Sequence, residues 1–249
     1  MPPSPLGPRF VAIGSGKGGV GKTWFSITLA HALARRGRRV LLFDADFGLA
    51  NVDIQLGLVP GRDLGHVISG KATFAEAVEQ FGPGGFDVLA GPSGSGALAS
   101  MGAGVLDQVL GMLRAGGAGY DHVLLDLAAG LDGGVRVTAA WADALIVLAT
   151  DEPTSITDAY ATLKLHAADR KEGDVRLVVN QAATPAGAER TAVVISRACT
   201  TFLGRAPLFL GGIRRDARVP LSIRHQALLL TRHPATPAAV DVEAIAGRF

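Results

Sequence analysis

The chain has 249 residues, 48% of them apolar and 18% charged, with Lys+Arg 24 against Asp+Glu 22 and a formal net charge of +2. That apolar content supplies a core and excludes disorder as the main state, while the near-neutral balance gives only weak support for binding nucleic acid. A single cysteine, Cys199, excludes an internal disulfide framework and a cysteine zinc site, and the longest aliphatic run, Ala144 to Ala149, falls far short of the ~20 residues of a bilayer span.

Met1-Pro2-Pro3-Ser4-Pro5 has neither the charged nor the apolar region of a signal peptide. Residues 1–8 are expected to be a disordered lead-in to one domain over 9–249, in the reducing cytoplasm. Phe10-Val11-Ala12-Ile13, an apolar run before a glycine cluster, reads as a buried strand. Thr23 to Arg36 carries Phe25, Leu29, Ala32 and Leu33 at helical spacing, and Gly37 stops it. Val40-Leu41-Leu42-Phe43 is the next strand. Further short aliphatic runs follow at Val88-Leu89, Val123-Leu124-Leu125, Leu145-Ile146-Val147-Leu148, Leu177-Val178-Val179 and Leu208-Phe209-Leu210, with helical patterns between most of them. Near-continuous aliphatic strands are covered on both faces, and alternation with helices means βαβ units. The expected fold is a single-domain α/β architecture, a mostly parallel twisted sheet flanked by helices. Gly82-Pro83-Gly84-Gly85 and Gly91-Pro92-Ser93-Gly94-Ser95-Gly96 read as loops inside it. Ligands of such sheets sit at the carboxyl ends of the strands, so the informative residues should follow strands.

After the first strand, Gly16-Lys17-Gly18-Gly19-Val20-Gly21-Lys22-Thr23 fits G-x-x-x-x-G-K-[ST]. Glycines let successive backbone N–H groups converge on phosphate oxygens, and the following helix adds its positive end. Lys22 supplies charge at the β- and γ-phosphates, and the Thr23 hydroxyl can ligate Mg²⁺. Gly14-x-Gly16-x-x-Gly19 also satisfies a dinucleotide fingerprint with Asp44 as ribose holder, but that reading leaves Lys22 and Thr23 unexplained. Asp44 and Asp46, two apart at the end of the second strand, can face a metal-bound phosphate, although Asp46 also suits an Asx turn. Leu124-Leu125-Asp126 followed by Gly130 fits a strand whose Asp126 would hold Mg²⁺ through water, with Gly130 letting the chain approach the γ-phosphate. Asn180 ends a later strand; its carboxamide offers both donor and acceptor to an adenine edge.

Lys17-Gly18-Gly19-Val20-Gly21-Lys22-Thr23 resembles the deviant Walker A motif of the MinD/ParA ATPases. The resemblance implies that Lys17 reaches across a dimer interface to the partner's ATP. It sets Asp46 beside the attacking water, Asp44 beside the phosphate loop, Asn51 on the adjacent switch segment and Asn180 on the base. Trp24 stands where the family has a second hydroxyl residue, among the nucleotide contacts, and Gly212-Ile213-Arg214-Arg215-Asp216 resembles the loop that closes over the base. Asn51-Val52-Asp53-Ile54-Gln55-Leu56-Gly57-Leu58, His66-Val67-Ile68-Ser69-Gly70, Ala75-Glu76-Ala77-Val78 and Asp126-Leu127-Ala128-Ala129-Gly130-Leu131 are similar to the FlhG (YlxH/FleN) group, MinD-like ATPases that control flagellar number and placement.

The resemblance implies an ATP-dependent homodimerising switch with Mg²⁺-dependent hydrolysis that is slow without a partner. Lys17, Lys22 and Asp46 would serve the chemistry. Gly16 to Thr23, Trp24, Asp44, Asn51, Gly130 and Asn180 would hold ATP or ADP, and Thr23 and Asp126 the metal. An FlhF-like GTPase or a flagellar regulator is the implied partner. The alternatives are a MinD- or ParA-type ATPase acting on septum or DNA, and a low-turnover nucleotide-binding module that titrates a transcription factor. Residues 1–9 show no FlhF-activating helix. The last eleven residues carry only Asp241, Glu243 and Arg248 as charges, so they read as a packing helix, not a basic membrane helix; peripheral attachment at the inner face of the cell membrane stays open. Arg35, Arg36, Arg38 and Arg39 read as a solvated helix end. Arg214, Arg215, Arg218, Arg224 and Arg232 bias the C-terminal third positive, with non-specific DNA binding a minor alternative. Cys199, His66, His166 and His225 are expected to be packing or surface residues.

Overall fold

A computed structural model describes residues 7–91 and 103–249. Its centre is an eight-stranded sheet in the order β3-β4-β2-β5-β1-β6-β7-β8. The strands are β1 (Arg9–Ser15), β2 (Val40–Ala45), β3 (Val78–Phe81), β4 (Phe86–Leu89), β5 (His122–Ala129), β6 (Ala144–Ala149), β7 (Asp174–Ala182) and β8 (Leu208–Arg214). All pairings are parallel except β3 with β4.

Alternation along each strand sends side chains to two cores. In β1, Val11 and Ile13 join one and Phe10 and Ala12 the other; in β6, Ile146 and Leu148 part from Leu145 and Val147 in the same way. The first core is closed by α1 (Lys22–Arg35), α2 (Val52–Leu56), α9 (Arg218–Arg224), α10 (Leu229–Arg232) and α11 (Pro237–Ala246). The second lies under α3 (Leu64–Ile68), α4 (Phe74–Ala77), α5 (Ala103–Gly116), α6 (Gly133–Trp141), α7 (Pro153–Asp169) and α8 (Pro185–Leu203). Both faces of the sheet are therefore dry, as near-continuous aliphatic strands require.

α1 starts at Lys22, with Gly21 as its N-cap, and ends one residue earlier than its pattern suggests. Gly37, at φ 76, donates to the Ala34 carbonyl, and Arg38 donates to that of Leu33, a Schellman closure. β3 is the element the sequence does not announce. Val78-Glu79-Gln80-Phe81 follows α4 with no loop between and pairs antiparallel at the sheet edge. Gly82 to Gly85 form the turn into β4. Residues 92–96 of the second glycine-rich stretch and residues 1–6 of the expected lead-in lie outside the described residues. α11 packs on α1 and β8 with Ala238, Ala239, Val242 and Ile245 buried, as a packing helix should. Cys199 is buried on α8. Among the described residues no helix is long and apolar enough to cross a membrane.

The strand order also decides between the two glycine readings. β5 lies between β2 and β1, whereas the dinucleotide-binding fold puts its first and second strands side by side.

Candidate functional site

The carboxyl ends of β1, β2, β5 and β7 converge on residues 16–23. Gly19 and Gly21 have φ of 80 and 86, a left-handed backbone open to glycine. Two of the loop glycines are also fixed by contact. A Cβ on Gly16 would lie 2.5 Å from the Asp158 carbonyl oxygen on α7, and one on Gly21 would lie 2.6 Å from Asn180 Nδ2; Gly18 faces open space. From β7, Asn180 Nδ2 donates to the Val20 carbonyl at 2.8 Å and Gln181 Nε2 to that of Gly19 at 3.2 Å. α1 then starts with no side-chain cap and no acidic residue in its first turn. Its first N–H groups are left to an incoming anion.

Beneath the loop, Asp126 of β5 gathers three donors from α1. Thr23 Oγ1 reaches Oδ2 at 2.7 Å, while Ser26 Oγ and Lys22 Nζ reach Oδ1 at 2.8 and 3.2 Å. Lys22 and Asp126 are both buried. In the β2–β5 register Asp44 stands directly beside Asp126. Burial, and then the charge of Asp126, push the Asp44 carboxyl up to about 7, against three backbone N–H groups that hold it down. Those are the N–H groups of Asp46, Asn51 and Val52. Asp44 is thus a bracket for the following loop, with both of its oxygens engaged by backbone N–H groups.

The buried Asp126 carboxylate beside the Thr23 hydroxyl makes an oxygen donor pair that a hard divalent cation fits. No cluster of three or more His, Cys, Asp or Glu is present among the described residues. A cation here would therefore lean on Thr23, Asp126 and phosphate oxygens together.

Other expected residues lie further out. Lys17 Nζ points to the start of α7, donating to Glu152 Oε2 at 2.7 Å and Thr154 Oγ1 at 3.1 Å, and holds the Glu152 carboxyl below its usual range. Asp46 Oδ1 accepts from the Gly48 and Leu49 N–H groups, the Asx turn its sequence allows. The Asn51 side chain turns back onto the Leu49 carbonyl and does not reach the phosphate loop. Gly130, at φ 109, donates its N–H to the Ser15 carbonyl at 3.0 Å, which lays the segment after β5 against the loop.

A cavity of about 500 Å³ opens beside the loop, walled by Trp24, Ile213, Pro220 and Ile223, with Asn180, Gln181, Arg214, Arg215 and Asp216 as its polar lining. Its size and apolar walls suit a flat ring. Asn180 keeps one amide hydrogen and one carbonyl lone pair unused after bonding Val20 and the Gln181 N–H. Trp24 offers no hydroxyl to a phosphate; it forms a wall of this cavity.

Ser26, Glu152 and Gln181 are the contributors that the sequence did not single out. The i, i+3 spacing of Ser26 from Thr23 on one helix was the available signal for the first; the others are visible only once strands and helices are assembled. Arg214 clamps Asp241 with two contacts at 2.8 Å, and Arg35 and Arg36 pair with Glu243. His66 and Asp63 make a capping box, and His166 is buried.

The profile of the CobQ/CobB/MinD/ParA nucleotide binding domain matches residues 11–229. The chain is 35% identical over 241 residues to the antiactivator FleN of Pseudomonas aeruginosa, covering 96% of this chain and 85% of the relative. It is 30% identical over 244 residues to the flagellum site-determining protein YlxH of Helicobacter pylori, covering 96% and 81%. Its fold is similar to that of the Pyrococcus furiosus cell division ATPase MinD, with a TM-score of 0.80 and 23% identity over 96% of this chain and 97% of that one.

Proposed function

The chain belongs to the CobQ/CobB/MinD/ParA nucleotide-binding family, and from that premise we propose that it is an ATP-dependent, dimerising ATPase switch of the FlhG (YlxH/FleN) kind that regulates flagellar number and placement. The likeness to FleN and YlxH over most of their lengths supports the flagellar assignment. The observation that carries the chemistry is the convergence of Lys22, Thr23 and Ser26 on the buried Asp126 directly beneath the loop.

Transfer of a phosphoryl group to water needs mainly positioning and charge stabilisation. The N–H groups of 16–23 and Lys22 hold the phosphates. Thr23 and Asp126 would hold Mg²⁺, which supplies charge neutralisation to the terminal phosphates. Asp46 orients the attacking water, and the base enters the cavity beside Trp24 and Asn180. Lys17 leaves its exposed pair with Glu152, which is weak in water, and enters the site of a second copy. Loss of the terminal phosphate then releases the Asp46 loop and the dimer. A flagellar regulator or an FlhF-like GTPase is the partner that sets the hydrolysis rate.

The test is light scattering on size-exclusion fractions with and without ATP. The parent chain should dimerise with ATP; Lys17→Ala should keep ATP affinity within about twofold and stay monomeric. An unchanged dimer peak for that variant rejects the role of Lys17, and a parent that ignores ATP rejects the reading. That the Pseudomonas relative is an antiactivator favours one second reading, a slow-turnover module that titrates a transcription activator. Single-turnover hydrolysis with and without candidate partners separates the two.

A further inference from the structure

The base cavity and the Asp46 loop are built from different elements, yet one run of contacts joins them. α9 walls the cavity with Val219, Pro220 and Ile223. Trp24 faces this cavity and also a crevice that it shares with Leu56 of α2 and Ile223 of α9. Just past α9, Gln226 is left-handed at φ 50, a conformation that costs a residue bearing a Cβ and that persists where the surroundings dictate it. The turn directs its side chain onto the end of α2. Nε2 donates to the Ile54 carbonyl at 3.0 Å, and the amide packs over Gly57, where an added Cβ would lie 2.8 Å from Gln226 Oε1. At the other end of α2, one oxygen of Asp44 accepts from the Asn51 and Val52 N–H groups, and its second oxygen accepts from that of Asp46.

We infer that Gln226 is a positioning residue that ties occupancy of the base cavity to the order of the Asp46 loop. A base packed against α9 fixes Gln226. Gln226 holds the C-terminal end of α2, and the N-terminal end of α2 is pinned on the same carboxylate that holds Asp46. Contacts made by the base, remote from the reacting phosphate, are thereby used to order the loop that orients water. The inference rests on the nucleotide reading above.

Hydrogen exchange of the full chain tests it with three conditions: no ligand, ADP, and pyrophosphate, which has no base. In the parent, ADP slows exchange at 14–23 and at 51–57, and pyrophosphate slows it at 14–23 alone. The ADP effect at 51–57 should be about fivefold, the reach of one hydrogen bond. Gln226→Gly keeps the left-handed turn without steric cost and removes the amide; Gln226→Glu keeps the shape and removes the donor. Both should keep ADP protection at 14–23 and lose it at 51–57. A merely structural role would raise exchange at 51–57 equally with and without ADP. Equal ADP protection of 51–57 in parent and variants overturns the inference, as does pyrophosphate protecting 51–57 as well as ADP does. If ADP leaves 14–23 unprotected in the parent, the nucleotide reading falls, and the inference with it.

Discussion

Removing one hydroxyl, Ser26→Ala, tests how the buried carboxylate of Asp126 is supported. Ser26 is fully buried on α1. Its single hydroxyl proton has two acceptors in range, Asp126 Oδ1 at 2.8 Å and the Lys22 carbonyl at 3.1 Å; the carboxylate is nearer and carries charge, so it takes the proton. Hydrogen bonds to charged groups contribute about 1.5–3 kcal/mol, and loss of this one leaves Asp126 with Thr23 and Lys22 alone. For a chain of this size each kcal/mol moves the melting midpoint by about 2–4 °C, so Ser26→Ala should lower it by about 3–12 °C without nucleotide. Thr28→Val is the matched control. Thr28 is buried on the same helix, but its hydroxyl donates to the neutral Trp24 carbonyl at 2.7 Å, so it should cost about 1 kcal/mol or less. Thermal unfolding followed by circular dichroism measures both. Equal shifts in the two variants, or a Ser26→Ala midpoint within about 1 °C of the parent, would refute the reasoning.

Asp46→Ala should lower phosphate release about a hundredfold or more, the scale of losing a group that orients the nucleophile, and should leave a long-lived ATP dimer; parent-like release removes Asp46 from the chemistry. Burial is the main force that lowers His31 and His166 to about 4, and His166 has no hydrogen-bond partner for either ring nitrogen among the described residues. Both are neutral in the fold and charge more readily when it opens. For these two groups the unfolded chain binds more protons between pH 6.5 and 4, so the stability they contribute above pH 6.5 is lost as pH falls through that window; His122, also lowered to about 4, adds to this, and the raised Asp44 works the other way. Urea midpoints at pH 7 and pH 5 should differ, and His166→Leu should flatten the difference; a profile as steep as the parent's counts against the assignment.

How far the sequence carries depends on whether a feature is local. The aliphatic runs at Phe10, Val40, Val123, Leu145 and Leu177 mark strands buried on both faces, a property visible in a few consecutive residues. The loop from Gly16 to Thr23 is equally local, because its spacing is its chemistry. β3 escapes because a four-residue edge strand, half polar and joined directly to α4, has no period long enough to register. Glu152 is recognisable only when the start of α7 is laid beside Lys17, and Gln181 only when β7 ends beside Gly19. Trp24 sits where the family has a hydroxyl residue; successive helix residues point about 100° apart, and here residue 24 faces the cavity wall.

The glycines of the loop are not equivalent, and the difference says where selection on this segment originates. Positions 16 and 21 are hemmed in by the chain's own atoms, and position 19 by its backbone angle, so folding by itself disfavours a side chain there. At Gly18 the solitary molecule leaves room for one. Any demand for glycine at that position must come from a visitor, whether a triphosphate or a twin molecule, so tolerance to substitution at 18 reports the arriving surface while tolerance at 16, 19 and 21 reports the fold.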